Sequence, residues 1–196
     1  GDPGELLAEL TDRVLDGEAR HAPVAFTVLR DVEMDSPGLE KLADQGFLRL
    51  RGVEPTMVVP IDPDWDGVDD YLAAMSSKYR TRARRVQKSG AALVRRDLTF
   101  SELLEERGVL EPLLDNVVDR AAFKLSRCSL GDVVELKRAL GEGLVVRTWS
   151  LGPDTVGFGA ALVHGERFEA LLVGMDYEKG AECCLYQNML YDFVAQ

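Results

Sequence analysis

The chain has 196 residues, of which 46% are hydrophobic and 29% are charged, and it carries a formal net charge of −11. This composition is typical of an ordinary globular protein that is long enough for one sizeable core or two small ones. The acidic balance disfavours a general nucleic-acid binder, which needs a basic face, and no apolar run reaches the ~20 residues of a membrane span.

The cysteines and the N-terminus indicate where we expect the protein to act. Cys128, Cys183 and Cys184 are odd in number and two are adjacent, which fits neither a disulfide framework nor a zinc site. His21 and His164 have no partners at ligand spacing. The first residues are acidic and amphipathic, unlike a secretory signal. We therefore expect a cytoplasmic protein with reduced thiols and no metal site.

Residues 1–65 are predicted to mix helices and strands, because helical and β-branched patterns alternate there. Four elements are predicted: a helix over 5–15, a strand over 23–30, a helix over 36–46 that ends at Gly46, and one or two strands over 47–61.

Residues 64–90 are predicted to form one helix, with Asp66 as its N-cap and Gly90 as its end. Eight lysines and arginines fall between positions 78 and 96 without one acid, so they have no partners for ion pairs within the helix. Three interpretations stay open: the helix holds cofactor or substrate phosphates, it docks tRNA or another anionic polymer, or it is a solvated face. One ridge carries basic residues at four-residue steps: Arg80, Arg84 and Lys88.

From residue 91 onward the predicted elements follow a clear order. They are a strand over 91–98, a helix over 100–124 with a break between Gly108 and Pro112, a helix over 130–141, and three strands and a terminal helix over 144–196. The order β-α-α-β-β-β-α predicts an α+β fold built on a mixed sheet.

The turn between the last strand and the terminal helix is the first candidate for a ligand site. A strand that runs into a helix N-terminus presents unpaired amides and the positive end of the helix dipole. Gly180 and Ala181 leave room for a close approach, and the amides of about Glu182 to Tyr186 are predicted to face a phosphate. The alternative is an ordinary strand-to-helix turn.

The order of elements resembles the GNAT (N-acetyltransferase) fold. The segments YLAAMSSKYRTRARRVQK, VGFGAALVHGERFEALLVGMDYE and LYQNMLYDFVAQ resemble, more specifically, the FemAB-like branch, whose members often carry two GNAT-like halves joined by a basic helix. The resemblance implies a partial, degenerate N-terminal half over 1–65, a connecting helix over 66–90 and an acyl-CoA-binding domain over 91–196. It also implies that this last domain is incomplete at its C-terminus.

The resemblance implies acetyl-CoA or another acyl-CoA as the donor, and it implies which residues hold it. The pantetheine arm would meet strand residues Leu172, Val173 and Gly174, and the phosphates would meet the turn. The turn residues are Gly180, Ala181, Cys183, Cys184 and Leu185. The chain departs from the family's phosphate motif, because Tyr177 stands where the family has Gln or Arg and Glu182 stands where it has a small residue.

Acyl transfer to an amine needs a base for the ammonium proton and an acid for the leaving thiolate. Glu169 and Asp176 are the predicted bases, and Tyr186 or Tyr191 is the predicted acid. A covalent route through an adjacent cysteine is a further alternative.

Three functions follow as expectations. The first is direct transfer from acyl-CoA to a small-molecule or peptide amine. The second is aminoacyl transfer from charged tRNA, which the basic helix favours and the acidic composition disfavours. The third is a catalytically silent GNAT-like binding module, suggested by the departures at the phosphate turn.

Overall fold

The computed structural model describes residues 9, 12–13, 28–29, 39–49, 57–121 and 128–195. The chain divides into two compact units, residues 1–59 and residues 60–196. In the first unit, helix α1 (Leu39–Asp44) buries Leu42 and ends before Gly46, whose φ of 90° suits glycine. This confirms the predicted short helix and its end.

The other predictions for the first unit fall largely outside the described residues. Residues 9, 12 and 13 lie in a helix, in agreement with the prediction over 5–15. Residues 28–29, 47–49 and 57–61 are not in strands, so the predicted strands are wrong at these positions, and their remaining residues lie outside the described part.

The second unit contains ten α-helices and β-strands in its described residues. They are α2 (Val68–Ala74), α3 (Ser77–Ser89), β1 (Leu93–Asp97), α4 (Phe100–Glu105), α5 (Arg107–Arg120), α6 (Leu130–Leu140), β2 (Leu144–Leu151), β3 (Asp154–His164), β4 (Arg167–Met175) and α7 (Leu185–Val194). A 3-10 helix at Gly141–Gly143 precedes β2. The predicted order from residue 91 onward is confirmed. The break in the helix predicted over 100–124 lies at Glu106, between α4 and α5, and the position predicted for it was wrong because Gly108 and Pro112 both lie within α5. The α+β class implied by the resemblance is therefore confirmed.

The sheet has the order β1-β2-β3-β4, and every pair of described neighbours is antiparallel rather than mixed. The reason lies in the connections, since two-residue loops join β2 to β3 and β3 to β4. Each loop begins with a glycine of positive φ, Gly152 or Gly165, as a type II′ hairpin turn requires. Such tight loops leave no room for the crossover that parallel strands need.

The two faces of the sheet are covered by different helices. On one face, leucines and valines of α4, α5 and α6 pack with Val146 and Phe158 in one buried cluster. On the other face, Met189 and Phe193 of α7 pack with Trp149 in a second cluster. Each fully buried aliphatic or aromatic side chain contributes about 1.5–3 kcal/mol, so both clusters are main sources of stability.

Gly174 shows how closely α5 crosses β4. A Cβ atom at this position would lie 2.3 Å from Cε1 of Phe158 and 2.7 Å from the backbone nitrogen of Leu114. Helix packing therefore requires this glycine, whereas the resemblance implied a ligand contact there. The irregularity in β4 lies at Leu171, since Ala160 pairs with Leu172 and Ala161 pairs with Ala170.

The helix predicted over 64–90 is two helices, because Met75 and Ser76 both have extended ψ angles near 150°. The N-cap of α2 is Gly67 rather than Asp66. Gly90 ends α3 as predicted. No helix in the described part of the chain is both long and apolar enough to cross a membrane.

Candidate functional site

A cleft of about 580 Å³ lies where β4 ends and α7 begins. Its walls come from the end of β4, the loop 176–184, the first turn of α7 and Val117 of α5. The cleft brings together many of the residues predicted from the sequence: Val173, Asp176, Gly180, Ala181, Cys184, Leu185 and Tyr186. The predicted residues outside its lining are Glu169, Leu172, Gly174, Glu182, Cys183, Tyr191, Arg80, Arg84 and Lys88.

The edge of β4 that borders the cleft has no neighbouring strand among the described residues. The amide of Asp176 donates to the carbonyl of Val156 on β3 at 2.8 Å. Because residues of a strand direct their backbone groups alternately to either side, Gly174 faces β3 and Val173 faces the open edge. Asn116 confirms this alternation, since its side-chain amide reaches the outward carbonyl of Met175 at 3.2 Å. Of the three predicted strand residues, Val173 therefore offers its backbone to the cleft.

The loop after β4 is held by its own backbone and by one side chain. Oδ1 of Asp176 accepts the amides of Glu178 at 2.9 Å and Lys179 at 3.0 Å. Its carbonyl accepts the amide of Gly180 at 3.0 Å. A Cβ atom on Gly180 would lie 2.7 Å from that carbonyl and 2.9 Å from Cβ of Leu185. The close approach that Gly180 permits is thus to the chain itself.

The N-terminus of α7 leaves backbone donors exposed. The amides of Cys184 and Leu185 donate to Ala181 and Gly180 at 3.3 Å and 3.1 Å. The amides of Tyr186 and Gln187 have no acceptor in the part of the chain that the structure describes, and both residues line the cleft. No side chain caps this helix. Unpaired amides at the positive end of a helix dipole favour an anion.

The two adjacent cysteines differ. Cys183 is buried, its thiol donates to the carbonyl of Gly180 at 3.4 Å, and burial is the main cause that raises its pKa. A thiolate is therefore disfavoured at Cys183, contrary to the expectation for a helix N-terminus. Cys184 is half-buried, lines the cleft and adopts a left-handed conformation with φ 49° and ψ 47°.

Asn188 is a site residue that the sequence did not single out. Its buried side-chain amide donates to the carbonyl of Val86 at 3.0 Å and to that of Cys183 at 2.7 Å. It packs so closely on Gly90 that a Cβ there would lie 2.3 Å from Nδ2 of Asn188. Asn188 thus ties the end of α3 to the loop that precedes α7. A single asparagine within a helix gives no sequence pattern that predicts hydrogen bonds to distant carbonyls.

The predicted acid lies at the cleft with one of the two predicted bases, and the other base lies away from it. Tyr186 and Asp176 both line the cleft. Glu169 is exposed and lies in the half of β4 that is farther from the cleft, where it pairs with Leu162 of β3. It precedes Val173, the nearest residue of β4 that lines the cleft, by four residues, which places it about 13 Å along the strand from the cleft.

The cations of α3 stand apart from the cleft lining. The guanidinium of Arg80 donates to the carbonyl of Ala73 at 2.9 Å. Arg84 and Lys88 are exposed and have no hydrogen-bond or ion-pair partner among the described residues. Two other cations lie beside the cleft loop: Arg120 stacks over the ring of Tyr177, 3.8 Å from its centroid, and Lys179 pairs with Asp154 at 2.7 Å.

Comparison with known proteins gives distant structural likenesses. No protein-family model matches the sequence, and no curated protein does. A conserved protein of unknown function from Bacteroides thetaiotaomicron is 17% identical with a TM-score of 0.44, over 64% of this chain and 44% of its own. The chain therefore spans less than half of that protein's length.

Acetyltransferases are among the similar structures, and two of them show how distant the likeness is. One is an aminoglycoside acetyltransferase from an uncultured soil metagenomic sample, in complex with sisomicin, 16% identical with a TM-score of 0.34 over 54% of this chain and 73% of its own. The other is a possible acetyltransferase from Clostridium difficile 630, 11% identical with a TM-score of 0.35 over 53% of this chain and 68% of its own. Likenesses this distant assign neither a family nor an activity to this chain.

Proposed function

We propose that the chain binds an acyl-CoA in the cleft at the end of β4 and transfers the acyl group directly to an amine. What supports the proposal is one juxtaposition, an unpaired strand edge at Val173 and unpaired helix amides at Tyr186 and Gln187 on the same cleft. An acyl-CoA carries amides along its pantetheine arm and phosphates at its nucleotide end. The strand edge suits the amides, and the helix N-terminus suits the phosphates.

The residues at the cleft also suit the chemistry. The amine nitrogen attacks the thioester carbonyl, the C–S bond breaks, the ammonium proton passes to a base and the thiolate takes a proton from an acid. We assign the acid to Tyr186 and the base to Asp176, whose Oδ2 is not used in holding the turn. Holding the two reactants in one cleft provides much of the acceleration.

Calorimetry with acetyl-CoA tests the proposal on the intact chain. We expect binding by the wild type and a higher melting temperature in its presence, because a ligand specific for the folded state stabilises it. Gln187→Glu places a carboxylate at the third residue of α7. The positive end of the helix dipole stabilises this carboxylate, and the carboxylate repels phosphate. We therefore expect about tenfold weaker binding without loss of stability.

Gln187→Met is the matched control, because it keeps the length of this exposed side chain without adding charge. We expect it to bind acetyl-CoA as the wild type does. A wild-type chain that shows neither binding nor thermal stabilisation at millimolar acetyl-CoA contradicts the proposal.

A FemAB-like aminoacyl transferase is the second candidate, and the exposed, unpartnered Arg84 and Lys88 of α3 favour it. It predicts tRNA binding that weakens steeply with salt and that is lost in the double variant Arg84→Gln/Lys88→Gln. A silent binding module, the third candidate, predicts binding of neither acyl-CoA nor tRNA, and the acidic Glu182 in the loop before α7 favours it.

A further inference from the structure

We infer that Arg120 supplies the positive charge that holds the phosphates of the acyl-CoA. This inference rests on the proposed function and assigns a phosphate-binding residue to its cleft. It places the cation on α5, outside the loop that precedes α7.

The charges of that loop make an outside cation necessary. Between residues 176 and 184 stand three carboxylates, on Asp176, Glu178 and Glu182, and one cation, Lys179. Lys179 already pairs with Asp154 at 2.7 Å, a bond that raises the pKa of its ammonium group. The loop is therefore net negative, and a phosphorylated ligand is repelled unless a nearby cation offsets this charge.

Arg120 is positioned to offset it. It is the last residue of α5 and follows Val117 by three residues, so the two share a face of the helix, and Val117 lines the cleft. Its guanidinium lies over the ring of Tyr177, another lining residue, 3.8 Å from the ring centroid.

The stacking of Arg120 leaves its donors available. A cation–π contact with a ring face uses no carboxylate or carbonyl oxygen as an acceptor for the guanidinium N–H groups. Within the described residues, no carboxylate or carbonyl accepts a hydrogen bond from Arg120, and the side chain is exposed. The planar fork of an arginine matches phosphate oxygens in a bidentate manner.

Binding of two donors by the intact chain tests the role of Arg120. Arg120→Met keeps much of the stem over Tyr177 and removes the charge. We expect it to bind acetyl-CoA at least tenfold more weakly, with a smaller dependence on salt, and to bind S-acetylpantetheine, which has no phosphate, as the wild type does.

Arg138→Met is the matched control, because Arg138 also lies over an aromatic ring, that of Phe100 at 5.4 Å, away from the cleft. We expect it to leave both affinities unchanged. Arg120→Met binding acetyl-CoA like the wild type overturns this inference and leaves the proposed function standing. Equal losses for both donors also overturn it, since they show that Arg120 only packs on Tyr177. A wild type that does not bind acetyl-CoA overturns the proposed function and this inference together.

Discussion

Two helices on one face of the sheet begin with a side-chain cap, whereas the helix on the other face does not. On one face, α4 and α6 each start with a complete capping box, in which Thr99 pairs with Glu102 and Ser129 pairs with Asp132. On the other face, α7 starts at Cys184 without a side-chain cap and in a left-handed conformation. The capping boxes pair the amides of the N-cap and of the third residue in α4 and α6, whereas the amides of the second and third residues of α7 are open to the cleft.

This difference shows how the fold separates stability from binding. The two capped helices pack on the buried cluster of the first face, and their own side chains pair with amides at their starts. The open helix is held instead by contacts beyond its first turn. Asp192, near its C-terminal end, accepts hydrogen bonds from the indole of Trp149 and the guanidinium of Arg95. Asn188 holds the end nearer the cleft.

The largest expected loss of stability comes from adding a methyl group at a glycine that packs against a helix, and it differs between the two faces of the sheet. Gly174→Ala forces a Cβ against the backbone of Leu113 and Leu114 on α5, whereas Gly159→Ala meets only the tip of the Phe193 ring on α7. Backbone yields less than a side chain, so we expect losses of about 3 kcal/mol for the first change and about 1 kcal/mol for the second. Urea denaturation measures both free energies of unfolding.

Gly108→Ala is the control for these two changes, because a Cβ in its place within α5 meets nothing within 4 Å. We expect it to gain up to about 1 kcal/mol, since alanine favours a helix and restricts the unfolded chain. Equal losses in Gly174→Ala and Gly159→Ala would contradict the difference in packing between the two faces.

The next effect concerns what holds the open helix. Asn188→Ala leaves the buried carbonyls of Val86 and Cys183 without this donor, and we expect a loss of about 2 kcal/mol. We also expect weaker acetyl-CoA binding, because the loop before α7 loses its tie to α3. Denaturation and calorimetry measure the two effects.

Asn116→Ala removes a single hydrogen bond of 3.2 Å that an exposed residue makes to Met175 of the cleft lining, and it serves as the control. We expect a loss of about 0.5 kcal/mol. A loss in Asn188→Ala no greater than this would show that Asn188 does not hold the helix start.

Controls aside, the smallest expected loss of stability comes from removing a side-chain cap at a helix N-terminus. Ser129→Ala removes the cap of α6, and we expect a loss of about 1 kcal/mol. Ser76→Ala changes the N-cap of α3, whose side chain makes no capping bond, and we expect a far smaller change. Urea midpoints of the two variants decide whether the hydrogen bond or the residue type matters.

The capping box of α6 also predicts a pH dependence. Asp132 accepts the amide and the hydroxyl of Ser129, and these bonds lower its pKa below that of the unfolded chain. The resulting stability is present at neutral pH and is lost as the pH falls below about 4, through the folded pKa. The difference in urea midpoint between wild type and Asp132→Asn should therefore shrink on acidification. A difference that is constant from pH 7 to pH 3 would contradict this assignment.

The patterns of the sequence predicted the elements more reliably than the contacts between them. The short helix at Leu39–Asp44 and the succession of strands and helices after residue 91 follow from local periodicity and turn glycines. The turn at Gly180 was also placed correctly between a strand and a helix. The single helix over 64–90 was wrong, since its break at Met75 and Ser76 has no proline or glycine to mark it.

The roles of particular residues depended on partners far along the chain. Position 174 has room only for a glycine, because α5 crosses there and its Leu114 is sixty residues away in sequence. Arg120 meets Tyr177, and Asn188 meets Val86 over a separation of 102 residues. Periodicity, capping signals and turn residues act over a few positions, so the chain alone specified which segments are helices and strands. Which of their ends meet at one cleft depends on packing across the sheet, and no local pattern encodes that contact.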